Sequence, residues 1–302
     1  MINVLMKAGC YLAIIILGTV LRRVGFFKES DFAVLSKIVI RVTLPAALIV
    51  NAVGRQISPQ LLTLALLGFG GGVLYMAAGW FLSRRAGKER QAFDILNHTA
   101  YNVGTFVIPF AQSFLGAAGV MTASIFDVGN AFIGLGGAYG VAAAVKDGKG
   151  FDIGRVLKAL AVSVPFLVHI GTLTMNLLHI PFPAPVVACA EIIAGANAFL
   201  AMLMIGVGFK LTLEKEKLGR VAQILAVRYG IAAVLATLYW FCLPFERSVR
   251  LALVILALSP IGSAVTGFTQ ELGGDVGLSC SVNSLSILIS IILTVALLVC
   301  LL

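Results

Sequence analysis

Two stretches of an otherwise apolar chain carry residue types able to hold a ligand through the backbone. In "YNVGTFVIPF" Asn102, Gly104, Thr105 and Pro109 interrupt one apolar run, and in "SPIGSAVTG" Ser259, Pro260, Gly262, Ser263 and Gly267 interrupt another. Proline removes a backbone donor and glycine loosens a helix, so both stretches predict helices that unwind part-way along. Unwinding frees N–H groups at the start of one half-helix and carbonyls at the end of the other, ends that attract anions and cations respectively. Charged side chains add to the candidates: Arg41, Asp127 and Arg228 each fall near the middle of an apolar run, where inserting a charge costs about 2.5–3.5 kcal/mol. Arg41 carries the planar, permanently charged fork that clamps a carboxylate at two points; the competing reading is an ion pair with Asp127 that neutralises both. Arg228 reads as a clasp for helix ends or carbonyls rather than as a ligand for a substrate. Asp127, with Asn130 one turn on, offers oxygens at the pitch for a sodium ion or a titrating proton. His98, one turn before Asn102, reads as a packing residue that stays outside the leading set.

The elements that must position these residues are apolar throughout. With 60% hydrophobic residues, 12% charged residues and a mean hydropathy of +1.05, the chain lies far outside the range of water-soluble domains. A bilayer core of about 30 Å takes roughly 20 apolar residues in a helix, and such runs follow one another almost without a gap. The breaks predict ten spans, near 4–24, 31–53, 59–83, 91–115, 117–145, 155–179, 184–209, 217–241, 248–270 and 274–301. The first run lacks a small-residue cleavage site, so it predicts a retained helix rather than a removable leader. Five scattered cysteines, at 10, 189, 242, 280 and 300, show neither pairing nor metal-ligand spacing and read as small apolar residues.

Basic residues orient the spans, because lysine and arginine collect in short cytoplasmic connections. Fifteen lie in the connections after spans 1, 3, 5 and 7, against four (Lys7, Arg55, Arg247 and Arg250) on the other side. Both termini are therefore expected outside the cytoplasm, in the inner membrane of a cell. The net charge of +9 is mostly this topological signal and calls for no nucleic-acid partner. Dividing the chain at "KDGKGFDIG", residues 146–154, leaves residues 1–145 and 155–302 with five expected spans each. An odd number per half inserts the second half with opposite polarity, the arithmetic of a 5+5 inverted repeat. The short echo between "FAQSFLG" (Phe110–Gly116) and "FTQELGG" (Phe268–Gly274) agrees with it, and places the two interrupted helices, spans 4 and 9, at matching positions.

The same residues carry a resemblance. "NVGTFVIP", the following "FLGAAGVMTASIFDVGN", and "SPIGSAVTGFTQELGGD" with "SVNSLSILIS" resemble the motif regions of the auxin efflux carrier family, within the bile acid and auxin-carrier-like transporter fold. That resemblance implies ten helices, a crossing of helices 4 and 9 at the substrate site, and carriage of small organic anions. Carried over by position, the crossing residues are Asn102, Gly104, Pro260 and Gly262. Tyr101 stands where the plant exporters have proline, and the linker between halves is short, so the closer resemblance is to bacterial malate or malonate permeases.

Other classes find little support. No connection is long enough for a phosphate-cradling loop or a phosphorylated domain, which excludes an ATP-driven pump. "LGGD" at 272–275 lacks the glycine and the second membrane aspartate of an intramembrane protease. The expectation is an all-α integral membrane carrier, not an enzyme and without a cofactor, that moves a mono- or dicarboxylate by alternating access. Its site residues are Asn102, Gly104, Thr105, Pro260, Gly262, Ser263 and Arg41, with Asp127 and Asn130 for a coupling Na+ or H+. A bile-acid-type sodium symporter and a passive channel stand as alternatives. Spans 1, 2, 6 and 7 form the expected scaffold, whose apolar faces would allow a homodimer.

Overall fold

The computed structural model describes residues 2–28, 30–55, 59–148, 150–210 and 215–301. In chain order the helices are α1 (Ile2–Arg23), α2 (Asp31–Ile38), α3 (Leu44–Ala52), α4 (Thr63–Ser83), α5 (Lys88–His98), α6 (Ile108–Phe114), α7 (Gly116–Phe132) and α8 (Ala138–Asp147). They continue as α9 (Ile153–Val162), α10 (Val164–Leu177), α11 (Ala184–Ala194), α12 (Asn197–Gly208), α13 (Leu218–Phe241), α14 (Arg247–Ala257), α15 (Val265–Glu271) and α16 (Val276–Leu301). Wide π turns at Val39–Thr43, Val103–Val107 and Ile133–Gly137 join α2 to α3, lead into α6, and join α7 to α8. Among the described residues there is no strand, only an isolated bridge between Tyr101 and Ile261.

Among the described residues six stretches are long and apolar enough to cross a membrane, and up to eight if each bent pair counts as one span. The bent pairs are α9 with α10, at 74°, and α11 with α12, at 40°. The first bend has a local cause. Pro165 has no N–H for a bond back into α9 and fits only the first turn of a new helix, and Ser163, extended between the helices, caps α10 by accepting the Phe166 N–H. Two further expected spans, 91–115 and 248–270, are each cut in two: α5 stops at His98 before the helical stretch Val103–Phe114, and α14 stops at Ala257 before α15. Outward faces are apolar, with Ile192 82% and Phe241 75% exposed. That is the surface of a multi-pass membrane protein.

The two halves of the chain interleave. α1 packs along α12, α3 against α11 and α10, and α7 against α14 and α10. Without a hydrophobic drive between helices in lipid, such contacts depend on close backbone approach at small residues. Gly129 on α7 lies so close to α4 that a Cβ there would stand 1.8 Å from the Ala65 carbonyl oxygen. Gly206 on α12 plays the same part against α1, where a Cβ would meet the Ile15 carbonyl oxygen at 2.1 Å. Gly129→Ala therefore forces α4 and α7 apart and is expected to cost about 1–3 kcal/mol, read as a drop of several degrees in the thermal midpoint in detergent. Gly70→Ala on α4, where an added Cβ meets no atom within 4 Å, is expected to hold or raise that midpoint.

Candidate functional site

The interrupted segments meet each other. After His98 the chain runs through an extended Thr99 and a left-handed Ala100, with φ +65°, to Tyr101, which bridges Ile261 in antiparallel fashion. The Asn102 N–H donates to the Pro260 carbonyl at 3.0 Å. A non-glycine residue at positive φ costs roughly 1–2 kcal/mol, so Ala100 is held there by what surrounds it. Backbone groups inside a membrane protein need partners, and three side chains from other helices supply them. Asn130 on α7 behaves like a peptide unit: its Oδ1 accepts the Tyr101 N–H and its Nδ2 donates to the Tyr101 carbonyl, both at 3.1 Å. On α16, Ser286 Oγ accepts the Ile261 N–H at 3.2 Å, and Ser290 Oγ donates to the Leu258 carbonyl at 2.7 Å.

Arg228, on α13, takes the remaining carbonyls. Its Nη1 donates to the His98 carbonyl at 2.7 Å, and its Nη2 reaches those of Ala100, Ser259 and Pro260 at 2.9, 3.1 and 3.0 Å. The residue is 1% exposed, and its guanidinium carbon lies 4.7 Å from the centre of the Tyr75 ring. Two helix C-termini, each with negative partial charge, thus converge on one cation. The sequence expectation of free carbonyls at the half-helix ends is corrected here, because this guanidinium has taken them. The expected role of Arg228 as a clasp for helix ends matches its contacts.

Two cavities border the crossing and share Asn102, Thr105 and Ser263 as lining residues. The first, about 150 Å³, also touches Gly104, Gly262, Asp127, Asn130, Ser163 and Phe166. The second, about 230 Å³, is bounded by Phe32, Lys210, Thr266, Asn283 and Ser284. The structure therefore brings together Asn102, Gly104, Thr105, Gly262, Ser263, Asp127 and Asn130. Pro260 contributes its carbonyl to the crossing rather than a face to either cavity.

Arg41 does not join them. It is exposed and borders an outer groove with Pro45, Cys189 and Ile193. Hydropathy gives the depth of a residue along a helix, but Arg41 sits inside the π turn Val39–Thr43, where an extra residue per turn rotates the face that a regular spacing would assign. The alternative pairing of Arg41 with Asp127 is also absent among the described residues. Asp127 Oδ1 accepts from Asn130 Nδ2 at 2.8 Å, and its Oδ2 lies 3.3 Å from Nε2 of His169 on α10. His169 was not singled out from the sequence, since nothing local links position 169 to 127. His98 is buried and donates through Nδ1 to the Asp94 carbonyl at 2.9 Å, the packing role expected of it.

Residues 8–141 match the model of a family described as membrane transport protein. The matched stretch runs from within α1 into α8, so it contains Arg41, Asn102, Gly104, Thr105, Asp127 and Asn130 and ends before Arg228 and the second interrupted segment. No curated protein matches the chain.

Asn130→Ala would orphan the N–H and the carbonyl of Tyr101 at a buried position, at about 1–3 kcal/mol per group. The expected result is a thermal midpoint several degrees below wild type. Asn51→Ala, which removes only a bond to the Ala47 carbonyl within its own helix, should leave it nearly unchanged.

Proposed function

We propose that the chain is a secondary carrier for a small organic anion, a mono- or dicarboxylate, working by alternating access. In this reading ten spans form two inverted sets of five, with the linker at 146–154 between them. α5 with the Val103–Phe114 stretch is the fourth span, and α14 with α15 is the ninth. The basic connections would face the cytoplasm of an inner-membrane protein and both termini the outside.

One observation carries the proposal: two interrupted helices meet, and two cavities bordering the meeting point share Asn102, Thr105 and Ser263. Residues shared by two adjoining cavities at interrupted helices form the kind of site that carriers hold near the bilayer midplane. The choice of an anion follows from the charges around the crossing. Carbonyl ends are already occupied by Arg228, while the N–H groups that open the Val103–Phe114 stretch have no partner one helical turn back. Both cavities fall below the range of about 300–1,000 Å³ common for drug-sized ligands, which suits a carboxylate of a few carbons. Arg41 is left out of the binding set. Asp127, facing the first cavity and paired with Asn130 and His169, is proposed as the group that couples transport to an ion, a proton in preference to sodium because the imidazole can share it.

Uptake into proteoliposomes tests the proposal, with mono- and dicarboxylates offered and sodium and pH gradients imposed separately. The expected result is saturable uptake stimulated by unlabelled anion on the far side. Asn102→Ala, losing a hydrogen bond to a charged solute, should lower it by about 10-fold or more. Flux that never saturates would indicate a channel, and uptake of neutral solutes alone would overturn the anion assignment.

A further inference from the structure

We infer that Arg228 is a tethered cation filling a four-carbonyl cation site at the helix crossing, so that the crossing recruits no dissolved sodium ion. The inference goes beyond the transport reading and stands without it, because it concerns only which cation the crossing holds.

The carbonyls of His98, Ala100, Ser259 and Pro260 come from two interrupted helices and converge within 2.7–3.1 Å of the guanidinium nitrogens. Carbonyls gathered at unwound helix ends are the chemistry with which membrane proteins replace the hydration shell of a bare monovalent cation. Here the positive charge arrives on a side chain from α13. No carboxylate among the described residues lies within ion-pair distance of Arg228, so backbone dipoles and the rings of Tyr75 and Tyr101 face its charge. Nε of Arg228 is buried without a partner, which marks the two Nη groups as the working end of the fork. A guanidinium stays protonated in proteins, so the charge is permanent and does not exchange with solution. Arg228 touches neither cavity and is a positioning residue. It fixes both segments in register and cancels the negative helix ends that would otherwise attract a dissolved cation.

The test separates charge from packing. Purified protein is melted in detergent with sodium exchanged for N-methylglucamine, and the wild-type midpoint is expected to stay the same. Arg228→Ala should melt several degrees lower, and millimolar guanidinium, entering the vacated site, should raise its midpoint saturably while urea, neutral and of the same shape, does not. Arg228→Met, whose side chain fills the space, should show no such recovery. Saturable stabilisation of the wild type by sodium would overturn the inference, as would equal responses of Arg228→Ala to guanidinium and urea, or an unchanged midpoint. Should Arg228→Ala fail to accumulate, Arg228→Lys and Arg228→Met decide: the lysine variant, retaining a charge, is expected to melt above the methionine variant, and equal midpoints would refute a role for charge.

Discussion

Inside a bilayer a polypeptide has no water to complete its hydrogen bonds, and each orphaned N–H or carbonyl costs several kcal/mol. A helix that stops half-way must therefore find partners on other helices. Here the demand falls on Thr99–Asn102 and on Ser259–Gly262, which meet each other through the Asn102 N–H and the Pro260 carbonyl. The rest of the accounting is done by a guanidinium, a carboxamide and hydroxyls projected from α13, α7 and α16. Proline at 260 and a left-handed alanine at 100 are tolerable only because those partners exist.

The two interruptions receive unlike support. Tyr101 is matched group for group by the amide of Asn130, whereas Ile261 is served by one hydroxyl, that of Ser286. Asn130 also donates to Asp127, which in turn meets His169 from the second half of the chain. The backbone of one interruption is thereby linked through Asn130 to a carboxylate lining the first cavity, whereas the other is linked through Ser286, which donates to the Asn283 carbonyl, to a neutral residue lining the second. Two segments of similar outline thus differ in how their surroundings can act on them.

Much of this was readable before any coordinates. Apolar runs placed the first and last expected spans within a few residues of their helices: 4–24 beside Ile2–Arg23, and 274–301 beside Val276–Leu301. Pro260 and Gly262 fall within the second interruption, because those residues act on their own backbone, whereas the first lies at Thr99–Asn102, ahead of Gly104 and Pro109, which the helical stretch Val103–Phe114 contains. The burden on Arg228 was legible too, since a mid-span guanidinium needs acceptors and interrupted helices have them to give. What escaped depends on rotation and on distant partners. Arg41 lies at the expected depth yet faces outward from a π turn, and Asp127 finds a histidine 42 positions away. The sharp bend between α9 and α10 was missed because both pieces are apolar and hydropathy does not register the angle between them.

Asn102, Thr105 and Ser263 form a septum shared by two chambers of about 150 and 230 Å³. The main chain behind that septum is stitched across by the bond from Asn102 to Pro260. So long as the stitch holds, neither segment can slide without the other, and Arg228 adds a second fastening by gripping the carbonyl ends of both. Any opening that preserves these bonds must carry the two segments as one rigid unit relative to their neighbours.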